Sequence, residues 1–140
     1  MRKLTLLLAA IVLLACIFVP SISFTEDRDA VLLARTIYAL GRDESYETKL
    51  ALGTVVMNRV ENAWFPSDLG DVLEQQHQFP AGSRYDDDSL RAAHAILSGT
   101  RSLPASALYY QSCDAASPWD SEHLVQVVGG YGFYEADGNV

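Results

Sequence analysis

Asp43 and Glu44 stand side by side in a charged turn, Gln78 and Phe79 share a polar loop, and Tyr109, Tyr110 and Trp119 lie further along the chain. Glycosidic chemistry uses these residue types. A carboxylic acid held in a cleft protonates a departing sugar oxygen, often with a second carboxylate or polar group opposite. Flat aromatic faces and amide or hydroxyl groups then hold the rings. Aromatics at strand spacing also build cores, so these residues indicate a chemistry without locating it.

Other chemistries find less support. His77, His94 and His123 are far apart, and none has the close pairing of a zinc-binding helix. The run Asp86-Asp87-Asp88 lacks the alternating acidic spacing and central glycine of a calcium loop, and suits the start of a helix. There is no Gly-x-Ser-x-Gly elbow and no phosphate loop. No metal and no cofactor are expected. Cys113 has no partner outside the N-terminal leader and is expected to be a half-buried structural thiol.

The elements that must position the acidic turn can be read from periodicity. Val31, Ala34, Ile37 and Tyr38 recur at helical spacing over residues 30–39, and Gly41 supplies a stop, which leaves Leu40 at the helix edge. Ser45 is a candidate N-cap, and Leu52, Val55, Val56, Arg59 and Val60 form the stripe of a second helix reaching about residue 62. Arg59 is expected to meet that helix's C-terminal dipole. A short third helix follows over 69–74 and a fourth over 90–98. After Pro104 the texture changes: residues 107–110 and 124–128 are rich in strand formers, and Gly129-Gly130 marks a hairpin before residues 131–134. The expected fold is α+β, mostly helical with a short C-terminal antiparallel sheet.

The chain has 140 residues and a formal net charge of −8. That acidity argues against nucleic acid and anionic membrane surfaces as partners. Residues 1–23 have the pattern of an export signal, with a cationic start, an apolar stretch of about 16 residues, and small residues after Pro20. The stretch falls short of the roughly 20 residues that span a bilayer, which makes an uncleaved anchor the weaker reading. Residues 24–140 then form one domain, expected to be monomeric, exported to the periplasm or wall, and in contact with membrane only through the leader.

Four segments in order, "LARTIYALGRDESYETKLALGTVVMNRVENAWFP" (33–66), "QHQF" (76–79), "ALYYQSCDAASPW" (107–119) and "VVGGYGFYE" (127–135), resemble the spore cortex-lytic, SleB-like family of cell wall hydrolases. The resemblance implies a small lysozyme-like domain. It also implies cleavage of peptidoglycan glycan strands between N-acetylmuramic acid and N-acetylglucosamine, in some members as a lytic transglycosylase. The family pattern Tyr-Ala/Gly-Glu-x-Arg-Gly-Glu aligns with Tyr38-Ala39-Leu40-Gly41-Arg42-Asp43-Glu44. Leu40 therefore stands where the family places its catalytic glutamate, and Asp43 replaces a glycine. Tyr131 stands where the family often has histidine.

Three explanations follow: a silenced site that still binds glycan, an acid relocated to Glu44 or Asp43, or an engineered or erroneous residue in an otherwise active enzyme. The catalytic candidates are Glu44 and Asp43. The resemblance, together with the residue types, gives Tyr38, Arg42, Gln78, Phe79, Tyr109 and Trp119 as candidates for holding the glycan.

Overall fold

The computed structural model describes residues 23–116, 119 and 121–137. The expected export signal falls almost entirely outside these residues. Among them no helix is long and apolar enough to cross a membrane.

Among the described residues four helices come first: α1 (Ser23–Gly41), α2 (Tyr46–Val60), α3 (Leu69–Glu74) and α4 (Asp87–Leu97). Strands β1 (Tyr109–Ser112), β2 (Leu124–Val128) and β3 (Tyr131–Tyr134) follow, with a 3-10 turn at Ser121–His123 before β2. They form one antiparallel sheet in the order β1-β3-β2. The α+β class, mostly helical with a C-terminal sheet, is as expected.

The helix α2 is covered on both sides. Val56 joins Leu33, Ile37, Leu69, Val72 and Ile96 in a core shared with the other three helices. Ala51, Leu52 and Val55 form a second core with Leu103, Ala107 and Phe133, under the sheet. This helix is buried on nearly all faces, its polar Thr48, Lys49, Thr54, Asn58 and Arg59 included, and is an interior element. Gly53 lets it come close to its neighbours: a Cβ there would collide with Ile37 and Ile96.

Caps define the helix starts. Ser45 accepts the Thr48 amide at 3.2 Å, Asp68 accepts that of Asp71 at 3.2 Å, and Asp86 accepts that of Ser89 at 2.8 Å. The aspartate run is thus a helix start. Asp86 also accepts from the buried Lys49 ammonium at 3.1 Å, which ties α4 to α2.

Several boundaries differ from the expectation. Helix α1 begins at Ser23 rather than residue 30. Helix α2 ends at Val60, with Glu61 as its C-cap. Strand β1 starts later, at Tyr109, because the Ala107 and Leu108 carbonyls are taken by the side chains of Asn58 and Arg59. Cys113 is exposed in the turn after β1, not half-buried: its amide donates to the Gly130 carbonyl at 2.8 Å, while its side chain faces solvent.

Partial burial by itself would raise the Asp86 carboxyl pKa, but hydrogen bonds from Ser89 and Lys49 outweigh it and hold the pKa below its ordinary 3.8. A depressed folded value stabilises above the unfolded pKa, and the contribution is lost as pH falls through the folded one. Asp86→Ala should therefore cost about 2–4 kcal/mol at neutral pH, through the lost cap and the buried Lys49 ammonium left without its acceptor. The gap from the parent should shrink below about pH 4, as read by thermal denaturation across that range.

Candidate functional site

Helix α1 ends at Gly41, and the chain turns through a bond from the Glu44 amide to the Gly41 carbonyl at 3.1 Å before Ser45 starts α2. This turn meets the β2–β3 hairpin. Gly129, with φ of 55°, bends the chain where other residues strain. The Gly130 amide donates to Glu44 Oε2 at 3.3 Å. A Cβ on Gly130 would lie 2.5 Å from Glu44 Oε1, and one on Gly129 would collide with Thr48. The two glycines therefore shape the hairpin and also make room for a carboxylate.

Leu40 is half-buried and, like Tyr110 and Tyr131, packs against the core under the sheet. Its carbonyl accepts the Tyr131 hydroxyl at 2.7 Å. Burial pushes the Tyr131 hydroxyl pKa up, and the nearby Glu44 charge adds to the rise. Tyr131 thus bridges the helix end and the sheet within reach of Glu44's field.

From Tyr131 an aromatic path runs along the seam between helices and sheet. Tyr131 meets Tyr110 at 6.1 Å, and Tyr110 stacks on Phe79 at 5.5 Å with 20° between planes. The Tyr110 hydroxyl donates to the Gln78 carbonyl at 2.6 Å, and burial raises its pKa.

Arg59 anchors the far end of this path and corrects the expectation that it only meets a helix dipole. It is 2% exposed. Its Nε donates to the Leu108 carbonyl at 2.7 Å and its Nη1 to Gln78 Oε1 at 2.9 Å. Its guanidinium lies within 5.3 Å of the ring centroids of Phe65, Phe79 and Tyr109. Burial lowers its pKa, and Tyr110 and Tyr109 oppose that shift. One cation thus holds the Gln78–Phe79 loop, the start of the sheet and three rings. A charged residue within the apolar stripe of α2 was the sequence signal for this role.

The remaining candidates divide by position. Asp43 and Arg42 face solvent, with side chains 95% and 70% exposed and 3.9 Å between them. Tyr38 is half-buried on α1, one turn before Gly41. Tyr109 and Trp119 belong to a different face. Tyr109 pairs in register with Tyr134, and both rings contact Trp119, at 6.0 and 5.2 Å. The sequence candidates therefore separate into a Glu44 seam, a loop held by Arg59, and an aromatic pocket.

Fold and seam together define a small α+β domain with a carboxylate at the junction of its helical and sheet parts. Residues 43–134 match the model of the family described as Cell Wall Hydrolase, and the chain belongs to that family. The match begins at Asp43, after Leu40. Among similar proteins is the spore cortex-lytic enzyme of Bacillus subtilis (strain 168), 33% identical over 100 residues, which cover 67% of this chain and 33% of that protein. The spore cortex-lytic enzyme of Oceanobacillus iheyensis is 28% identical over 119 residues, covering 77% of this chain and 43% of that protein. The chain spans less than half the length of these relatives.

The catalytic domain of the Bacillus cereus SleB protein superposes with a TM-score of 0.69 at 23% identity, over 78% of this chain and 91% of that one. The catalytic domain of the germination-specific lytic transglycosylase SleB from Bacillus anthracis gives 0.70 at 23%, over 84% and 100%. These likenesses establish the fold, the α+β architecture of the SleB catalytic domain.

Arg59→Lys tests the anchoring role. An ammonium cannot make both bonds and spread across three rings, so the variant should lose about 2–3 kcal/mol of stability by denaturant titration. The Gln78–Phe79 loop should also become more open to proteolysis.

Proposed function

We propose that this domain acts on the glycan strands of peptidoglycan, cleaving between N-acetylmuramic acid and N-acetylglucosamine with Glu44 as its acid. The observation behind the reading is the place of Glu44. It is half-buried at the seam where the helix end, the hairpin and Tyr131 meet, with one carboxylate oxygen held by a backbone amide. Asp43 is open to solvent and lacks such an environment.

In this reading the Glu44 carboxyl gives its proton to the bridging oxygen and the C–O bond breaks. The resulting carboxylate takes a proton back from the attacking hydroxyl, which belongs to water in hydrolysis or to C6 of the muramic residue in transglycosylation. Gly130 orients the carboxylate, and the half-buried rings of Tyr131 and Tyr110 border the way for neighbouring sugars. In this reading Arg42, exposed in the turn, meets a carboxylate of the wall peptide. An exported location follows from this substrate and from the leader.

Leu40 favours a second reading. Its side chain packs into the apolar cluster where the resemblance puts a carboxylic acid, and Glu44 is already tied to Gly130. A domain built this way holds glycan without turning it over.

Mass spectrometry of fragments released from purified peptidoglycan separates the two. Glu44→Gln should lower release by about 10²–10⁴-fold, the cost of losing a general acid, with thermal stability near that of the parent. Leu40→Glu should raise it. Release that appears only in Leu40→Glu would overturn the Glu44 reading and establish the silent one.

A further inference from the structure

Phe133, fully buried, faces α2, so its neighbour Tyr134 and the paired Tyr109 lie on the other face of the sheet. That face carries a pocket of about 320 Å³, lined by these two tyrosines with Trp119, His123, Glu135 and Asp137. It does not include Leu40, Glu44 or Tyr131, so the proposed cleavage leaves it without a role.

The pocket's construction points to one ligand chemistry. The Tyr109 and Tyr134 rings meet Trp119 edge to face, at interplanar angles of 72° and 65°, and form a partial aromatic cage. Trp119 remains 46% exposed, and its amide is held by Gln111 Oε1 at 2.8 Å. Ring faces carry negative potential and attract cations. Two carboxylates follow directly after β3, and none of the lining residues is lysine or arginine. The Arg59 guanidinium does lie behind Tyr109, but it is buried and bonded to Leu108 and Gln78 and does not line the pocket. Aromatic faces also suit a sugar ring, and it is the two carboxylates, with no lysine or arginine among the lining residues, that favour a cation.

We propose that this pocket binds the side-chain ammonium of a diamino residue in the peptide stems of the wall. The source of that ammonium rests on the peptidoglycan reading above; the cation chemistry does not. The alkyl chain would lie along Trp119 and Tyr134, and the ammonium would reach Glu135 and Asp137. Peptide recognition on one face of the sheet and glycan at the seam would together orient a strand on the domain.

The test is a fluorescence titration of the purified protein carrying Trp64→Phe, which removes the other tryptophan, itself exposed, and leaves Trp119 as reporter. The probes are Nα-acetyl-lysine amide, its neutral counterpart Nα-acetyl-norleucine amide, and chitotriose. A saturable change with the lysine probe is expected, about tenfold or more weaker with the norleucine probe, and weakened by Glu135→Gln with Asp137→Asn. Equal response to both amides would overturn the proposal in favour of a plain apolar slot. Response to chitotriose alone would make it a sugar subsite, and no saturable response would reject it outright. Lysine binding without fragment release would sustain the pocket and count against the cleavage reading; release without lysine binding would do the reverse.

Discussion

The domain depends on one helix being buried on both sides. Helix α2 closes the helical core on one face and the core under the sheet on the other, so the two parts cannot shift independently without opening apolar surface to water. Its 15 residues make an axis of roughly 22 Å. The hairpin tip rests near its start, at Glu44 and Thr48, and the start of β1 rests at its end, on Asn58 and Arg59. The seam between helices and sheet therefore has a set length and two anchored ends.

Those ends differ in chemistry. At the start, a carboxylate meets a backbone amide and a tyrosine hydroxyl whose ionisation it opposes. At the other end, a buried guanidinium is neutralised by no described ion pair and is held instead by a carbonyl, an amide oxygen and ring faces. Burying a charge is costly unless its donors are satisfied, which explains why so many groups converge on Arg59. Aromatic rings fill the distance between the ends.

Local signals carried most of the element order. Apolar periodicity located the first two helices, Ser45 and the Asp86 run marked starts, and Gly129-Gly130 marked the hairpin. Boundaries slipped where long-range bonds competed with propensity. The clearest case is β1, whose expected first carbonyls turn towards α2 side chains 49 residues earlier in sequence. Cys113 shows the same limit, because exposure in a turn is not encoded in the residue's own type.

By itself, the sequence determined the class of fold and the family. Each is a matter of residue order and period, which need no third dimension. Tertiary structure alone decided which of two adjacent carboxylates enters the seam and which faces water. It also placed Tyr109 and Trp119 apart from Glu44, and made Arg59 an interior anchor. The physical reason is that alternation within a strand and one turn of backbone send neighbouring side chains to opposite sides, and only packing against α2 determines which side is the inside.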